Sequence, residues 1–289
     1  MLFQLFLCKV FLFFMSFLIV SGFLAGMKRI ASAIDLLLPR TCIVCGQRLL
    51  YSEQHICLLC AAEMPLTHFW KQSRNPMSDR FNDIIQKELI NGKTALPMSY
   101  QEMPEAADVC PVSRRESYAY ASALFTYHAE APFRLIPYNI KYKGNIRAGI
   151  YFGRMLGARL MLEEHWKDAD IIIPVPLHWT RRFRRGYNQA EAIAYGLASA
   201  MGIPVRNDIL FRRKRTRTQT KLNIEGKRRN VSGAFKARKC EPGKYRHIII
   251  VDDVFTTGST LMACFTALRT VFPPSVRISV ATLGFVDGG

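Results

Sequence analysis

Uninterrupted apolar runs, separated by polar and turn-forming stretches, divide this 289-residue chain into alternating predicted strands and helices. Apolar runs without a charge indicate strands that are covered on both faces, as in a parallel sheet. The clearest runs lie inside the strands predicted over residues 170–176 and 247–254. Strands that alternate with helices in this way predict an α/β fold with a doubly wound, mainly parallel sheet.

The remaining elements are predicted from the same pattern. Further strands are predicted over residues 118–127, 205–211 and 276–285, and helices over residues 78–90, 132–142, 146–166, 188–201 and 258–271. The strand over 118–127 is predicted at a sheet edge. The helix over 146–166 carries small residues on one face: Gly149, Gly153 and Gly157. Residues 212–230 form a basic loop or hairpin in this prediction.

The first 26 residues are a separate hydrophobic segment. Residues 10–26 are all apolar or small, which is typical of a signal peptide or a membrane anchor. Met27 is an alternative start, because a short amphipathic helix is predicted directly after it. A start at Met27 predicts a cytoplasmic protein. If residues 1–26 are instead part of the protein, they predict a membrane anchor, with the folded part facing the cytoplasm.

Four cysteines follow as two CxxC pairs separated by eleven residues: Cys42, Cys45, Cys57 and Cys60. Two such pairs can give four thiolates to one tetrahedral Zn²⁺. Two disulfides are the alternative interpretation, and a reducing compartment disfavours them. The spacing predicts a structural zinc module over residues 27–65, in which no coordination position stays open for catalysis.

Two carboxylates and a hydroxyl-rich turn end the strand predicted over 247–254. Asp252 and Asp253 stand at the carboxyl end of the strand, where open α/β sheets bind their ligands. The turn offers backbone N–H groups and hydroxyls at a helix start, which favours a phosphate. Its residues are Thr256, Thr257, Gly258, Ser259 and Thr260. Aspartates that only cap a helix are the alternative interpretation. No Gly-Lys-Ser/Thr sequence follows, which disfavours an ordinary nucleoside triphosphatase.

Most of the net charge of +18 lies in one quarter of the chain. Residues 181–246 contain nineteen Lys or Arg and four Asp or Glu, a local excess of fifteen positive charges. This excess indicates an anionic partner: a polyphosphate ligand, nucleic acid or anionic lipid. One arginine can bind two phosphate oxygens at once. The candidates to bind a pyrophosphate are Arg181, Arg182, Arg184 and Arg185. Few aromatic residues interleave with the basic positions of 212–229, so that segment gives little support for base stacking.

The residues 252–260 resemble the phosphoribosyl-pyrophosphate (PRPP) motif of type I phosphoribosyltransferases: an acidic pair, three spacers, then Thr257-Gly258-Ser259-Thr260. The order of motifs over about residues 27–286 resembles the ComF family of competence-associated, phosphoribosyltransferase-like proteins. Besides the cysteines, the matching segments are Lys141-Tyr142-Lys143-Gly144, Pro174-Val175-Pro176, Arg185-Gly186-Tyr187-Asn188-Gln189-Ala190, Thr218-Gln219 with Leu222, and 229–235.

The resemblance implies a phosphoribosyltransferase-like domain over residues 113–289, joined to the zinc module by a connector over 66–112. It implies that Asp252 and Asp253 are the catalytic pair and hold the ribose hydroxyls of PRPP, directly or through Mg²⁺ and water. It also implies that residues 256–260 bind the 5′-phosphate, and that Lys221 joins the arginines of 181–185 at the pyrophosphate.

Two interpretations of function stay open at this point. In one, the protein transfers phosphoribose from PRPP to an unknown acceptor. In the other, it is a non-catalytic nucleotide-sensing or DNA-binding module that acts through its basic loops on single- or double-stranded DNA. Both imply a link to competence and DNA uptake, with proteins of the competence machinery as further partners.

Overall fold

The computed structural model describes residues 39–90, 116–128, 130–213, 233–238 and 242–287. The chain divides between Ala61 and Ala62 into two compact units. The hydrophobic segment 1–26, Lys221 and nearly all of the basic segment 212–230 lie outside the described residues. The predicted boundaries at 65 and 112 stay predictions.

Helices and strands alternate along the second unit. The strands are β1 Ala121–Thr126, β2 Ile171–Pro174, β3 Leu210–Arg212, β4 Phe235–Ala237, β5 His247–Phe255 and β6 Arg277–Phe285. The α-helices, beginning with a short one in the cysteine region, are α1 Leu58–Ala62, α2 Pro76–Ile90, α3 Leu135–Tyr142, α4 Ile146–Leu160, α5 Glu164–Lys167, α6 Trp179–Arg185, α7 Gln189–Met201 and α8 Ser259–Arg269. Short 3₁₀ turns lie at Phe69–Lys71, Pro132–Arg134 and Pro242–Lys244.

Four strands form one parallel sheet in the order β1-β6-β5-β2. The parallel α/β architecture predicted from the sequence is therefore confirmed, and β1 lies at an edge as expected. The strand predicted over 205–211 is shorter: only β3 forms, in an antiparallel pair with β4, while Val205 makes an isolated bridge to Ile172. The helix predicted over 146–166 breaks after Leu160, and α5 follows as a separate turn.

Both faces of the sheet are covered. Ile248 and Ile250 of β5 belong to a hydrophobic cluster that includes residues of α2 and α8. Ile249 and Val251, which alternate with them, are fully buried outside that cluster. Because successive side chains of a strand point to opposite faces, these two residues cover the other face, where α7 packs on β5.

Glycines let α4 and α7 approach closely on that second face. A Cβ placed on Gly153 would overlap the backbone carbonyl oxygen of Ile193, and one on Gly196 would overlap that of Ile150. The small face predicted on the helix over 146–166 is therefore the surface that touches α7. Helices whose backbones come this close have no room for a methyl group.

We expect the substitution Gly153→Ala to destabilise the second unit by about 2 kcal/mol or more, because the new methyl group would force the two helices apart. In a unit of this size the midpoint of thermal unfolding should fall by roughly 5 °C. Gly243→Ala is the matched control, since nothing lies within 4 Å of the added Cβ and its φ is not positive. Equal unfolding midpoints for the two variants, measured by circular dichroism, would contradict the close contact.

A hydrogen-bonded row of three polar side chains joins the starts of β5 and β6, at the opposite end of β5 from Asp252. His247 Nδ1 lies 2.6 Å from Oδ1 of Asp168, and its Nε2 lies 2.8 Å from Oγ of Ser279. The bond to His247 lowers the pKa of the Asp168 carboxyl. This order of groups is that of a serine hydrolase, but His247 and Ser279 are both fully buried. The three side chains therefore hold the starts of β5 and β6 together and offer no nucleophile to a substrate.

Among the described residues, no helix combines the length and the apolar character that crossing a membrane requires.

Candidate functional site

Four cysteine side chains converge in the first unit. The Sγ atoms of Cys42, Cys45, Cys57 and Cys60 all lie within 4.8 Å of one another, and those of Cys45 and Cys57 are 3.7 Å apart. Thiolates on a tetrahedral zinc, with bonds of about 2.3 Å, stand roughly 3.8 Å apart. The cluster can hold a metal ion such as zinc without rearrangement of the backbone.

Backbone N–H groups donate to two of these sulfur atoms and favour the thiolate of Cys42, whereas the pKa values of Cys45 and Cys60 are raised. The N–H of Cys57 donates to Sγ of Cys42 at 3.4 Å, and the N–H of Cys60 donates to Sγ of Cys57 at 3.5 Å. Burial opposes ionisation of Cys42, but bonds from backbone N–H groups lower its pKa to about 7. Gly46, directly after the first pair, has a φ of +75°, so the turn that brings the pairs together needs a glycine there.

Asp252 and Asp253 lie near the end of β5, and both are buried. β5 ends one residue later than the sequence predicts. β6 pairs with it as far as Phe255, whereas β2 ends opposite Val251. The two carboxylates therefore lie directly beyond the end of β2. This is the edge at which an open parallel sheet binds its ligands.

The two carboxylates bond to the backbone that follows them. The N–H of Asp253 donates to Oδ1 of Asp252, and the N–H of Val254 donates to Oδ1 of Asp253, each at 2.9 Å. Oδ2 of Asp253 accepts no hydrogen bond within the described part of the chain. It lies 3.4 Å from Nζ of Lys141, the last basic residue of α3. One carboxylate oxygen is thus held only by a loose ion pair.

Burial and the neighbouring charge of Asp253 raise the pKa of Asp252 to about 7, and Lys141 opposes the rise. The charge of Asp253 in turn raises the pKa of Lys141, against the effect of burial. The carboxyl of Asp252 is therefore only partly ionised near neutral pH. A cation or a hydroxyl-bearing ligand that bonds to the carboxylates would stabilise their ionised form.

The hydroxyl-rich turn follows β5 and leads into α8. Gly258 precedes the helix with a φ of +71°, a conformation that other residues adopt at a cost. Oγ1 of Thr257 and Oγ of Ser259 are 2.8 Å apart, so the two hydroxyls form a hydrogen bond with each other. Thr256 is exposed, and Thr260 lies in the first turn of α8. The predicted phosphate turn is thus placed directly beside the two aspartates.

The segment that carries the four candidate arginines Arg181, Arg182, Arg184 and Arg185 forms the short helix α6. Among its arginines, the structure describes the side chains of Arg182 and Arg185. Arg182 pairs with Glu191 at 2.8 Å, and Arg185 donates to Oε1 of Gln189 at 2.8 Å. Asn188 caps α7 by accepting from the N–H of Ala190, and it donates to the carbonyl of Val175 after β2. This second bond holds the start of α7 against the end of the sheet.

Two residues near the carboxylates were not predicted as site residues. Lys141 belongs to a segment that the sequence identified only by resemblance, and its ion pair with Asp253 requires the fold. The hydroxyl of Tyr187 is buried and has no hydrogen-bond partner within the described chain. Its pKa is raised by burial, and the charges of both Arg185 and Asp253 act on it. A buried hydroxyl without a partner among the described residues calls for an explanation, and a bound ligand oxygen would supply one.

Some known proteins match a short part of the chain at higher identity, and others match most of it at lower identity. Competence protein F of Haemophilus influenzae is 40% identical over 113 residues, which are 39% of the chain. That match spans 49% of the relative, so the chain matches about half the length of this protein. DNA utilization protein YhgH of Salmonella typhimurium is 24% identical over 229 residues, 78% of the chain and 89% of the relative. YhgH of Escherichia coli K12 is 37% identical over 92 residues, 32% of the chain and 40% of the relative. No protein-family model matches the chain.

Proposed function

The chain belongs to the ComF family, and on that premise we propose that it acts in competence and DNA uptake as a PRPP-binding, phosphoribosyltransferase-like protein. The observation that carries the proposal is the placement of Asp252 and Asp253 beside the hydroxyl-rich turn at one edge of the sheet. A phosphorylated ribose has the matching groups, since it carries hydroxyls at one side and a phosphate at the other. The names of the relatives support the biological role.

In this proposal the two carboxylates hold the ribose hydroxyls, and the turn of residues 256–260 binds the 5′-phosphate. The N–H groups at the start of α8 point toward that phosphate, where the helix dipole favours negative charge. Lys141 and Arg185 supply positive charge near the carboxylates, as the pyrophosphate of PRPP requires. The hydroxyl of Tyr187 gives a ligand oxygen one more donor.

The donor set also fits Mg²⁺, because carboxylate oxygens are the ligands that this ion prefers. Oδ2 of Asp253, which accepts no hydrogen bond from any residue that the structure describes, is the oxygen that we assign to it. Bound Mg²⁺ would neutralise part of the charge on the phosphates of PRPP. We propose in the same way that Zn²⁺ occupies the cysteine cluster as a structural ion.

Transfer would break the bond between ribose C1 and the pyrophosphate oxygen and form a bond from C1 to the acceptor. Pyrophosphate leaves with the bonding electron pair, and a neutral acceptor loses a proton. The protein contributes mainly position and charge neutralisation to such a reaction. The acceptor is the unknown of this proposal.

Calorimetric titration of PRPP into the protein, with and without Mg²⁺, tests this proposal. We expect binding that Mg²⁺ strengthens at least tenfold, since the ion would offset negative charge of the carboxylates and the phosphates. Ribose 5-phosphate is the matched control ligand, because it carries the sugar and the 5′-phosphate without the pyrophosphate. It should bind more weakly and with little dependence on Mg²⁺. Absence of PRPP binding would refute the proposal.

The second candidate function is DNA binding without any transfer reaction. The excess of fifteen positive charges over residues 181–246 favours it, as do the names of the YhgH relatives. The same titration separates the two functions, because the DNA-binding candidate requires no affinity for PRPP. In that case the motif of residues 252–260 is a retained scaffold.

A further inference from the structure

One carboxylate oxygen of the candidate site faces a lysine that belongs to another helix. Asp253 is 6% exposed, and its Oδ2 accepts no hydrogen bond from any residue that the structure describes. Nζ of Lys141 lies 3.4 Å from this oxygen. A hydrogen bond between an ammonium and a carboxylate is usually about 2.7–2.9 Å long. The lysine therefore balances the charge of the carboxylate without a tight bond to it.

The main chain at Lys141 is held in place, but its side chain is free to turn. Lys141 lies in the last turn of α3, next to the fully buried Ile140. The N–H of Lys143 donates to the carbonyl of Asn139 at 3.0 Å and closes the end of the helix. The side chain of Lys141 is partly exposed, and a lysine carries its ammonium on a flexible four-carbon stem. The ammonium can therefore leave Asp253 while α3 stays in position.

A divalent cation at this oxygen would meet a positive charge that is already in place. Because Nζ of Lys141 is 3.4 Å from Oδ2 of Asp253, an ion bound to that oxygen would lie close to the ammonium. Like charges at such a distance repel each other strongly. The ammonium also supplies charge balance that the ion would otherwise supply. A free divalent ion therefore has to displace the lysine before it can bind.

A second cation lies near the lysine. Nζ of Lys141 is 6.0 Å from the centroid of the Tyr142 ring, and the guanidinium carbon of Arg185 is 5.5 Å from the same centroid. Two cations beside one ring repel each other, and an anionic ligand would attract both. A ligand with several phosphates thus offers the ammonium a partner to replace Asp253, which a free metal ion does not.

We propose that the ammonium of Lys141 takes the place of the divalent cation in the ligand-free protein and keeps free divalent ions away from Asp253. The ion then enters only with a phosphorylated ligand, whose oxygens bind the ion and attract the ammonium. This inference rests on the proposed function, because it assigns to Lys141 the order in which Mg²⁺ and PRPP bind at the same site. Lys141 is a positioning residue in this role, since it acts through the ion.

Titration of Mn²⁺ into the protein without PRPP tests this inference. Mn²⁺ takes the same oxygen ligands as Mg²⁺, and the electron paramagnetic resonance signal of the free ion shows how much is bound. Lys141→Met removes the charge and keeps most of the length of the side chain. We expect this variant to bind Mn²⁺ more tightly than the wild-type protein by about tenfold or more, because the repulsion is gone. Adding Asp252→Asn and Asp253→Asn to Lys141→Met should remove the gain.

Lys143→Met is the matched control. Lys143 is an exposed lysine two positions further along the chain, so its substitution removes the same charge from the same turn. It should leave the Mn²⁺ affinity as in the wild-type protein. Lys141→Arg keeps the positive charge at the position itself, and it should also bind Mn²⁺ as weakly as the wild-type protein does. Together the two controls show whether the gain depends on the charge next to Asp253.

Equal Mn²⁺ affinity in Lys141→Met and the wild-type protein, or an equal gain in Lys143→Met, would overturn the inference. A third contrary result needs no substitution at Lys141: a wild-type protein that binds one Mn²⁺ at micromolar concentration without PRPP and loses it when Asp252 and Asp253 are both changed to asparagine. None of these titrations contains PRPP. Failure of the inference is therefore seen separately from a failure of PRPP binding, which the calorimetric titration of the wild-type protein measures.

Discussion

Replacing both Asp252 and Asp253 with asparagine is expected to abolish Mg²⁺-dependent PRPP binding in a protein that stays folded. Asparagine keeps the shape of the side chain and an acceptor oxygen for the following N–H, but it removes the charge. A charge-assisted hydrogen bond contributes about 1.5–3 kcal/mol, so two lost carboxylates should weaken binding by a factor of roughly 10²–10⁴. Calorimetric titration with PRPP measures the loss.

The unfolding temperature of the single variant Asp252→Asn provides a control for the double variant. Burial raises the pKa of Asp252 to about 7, above its value in the unfolded chain, so ionisation of this carboxyl opposes folding. Its contribution to stability is fully present below about pH 4 and is lost as the pH rises through about 7. Asp252→Asn should therefore raise the unfolding temperature at pH 8 and change it little at pH 4. Asp287→Asn, at an exposed position, should leave both PRPP binding and stability unaltered. Full PRPP affinity in the double variant would show that PRPP does not bind at these residues.

Substitution of Cys57 by serine is the second change with a large expected effect. The cysteine unit is small, so a bound metal would supply most of its folding free energy, on the order of 10 kcal/mol for structural zinc. We expect Cys57→Ser to reduce the zinc content from one equivalent per chain to near zero, as measured by atomic emission on purified protein. Residues 39–61 should then become sensitive to proteolysis.

Cys264→Ala is the matched control for this loss. Cys264 is a buried cysteine of α8, outside the four-cysteine cluster. Its substitution should leave one zinc equivalent and an intact cysteine unit. One full equivalent of zinc in Cys57→Ser, or none in the wild-type protein, would contradict the structural zinc site.

The sequence predicted the parallel sheet because its clearest signals are local. The apolar runs within β2 and β5 are continuous, and both cysteine pairs have a spacing that permits few alternatives. The predictions failed where the neighbouring element decides the outcome. Residues 205–209 form no strand although their pattern resembles one, and only Val205 among them makes a bridge, to Ile172 of β2.

The candidate site was predicted in part for the same reason. Asp252, Asp253 and the turn of residues 256–260 are adjacent in the chain, so the sequence alone predicts that they form one site. Lys141 is more than a hundred positions away, and no periodicity connects it to Asp253.

The unequal lengths of β2 and β5 give the two aspartates a second task. Beyond Val251 no residue of β2 accompanies β5, and there the carboxylates accept the N–H groups of Asp253 and Val254. The side chains thus bind two N–H groups of β5 in the stretch that β2 no longer accompanies. A ligand that draws the carboxylates toward itself competes with these bonds. Occupancy would then be transmitted into the main chain of β5, and amide exchange at Asp253 and Val254 would record it.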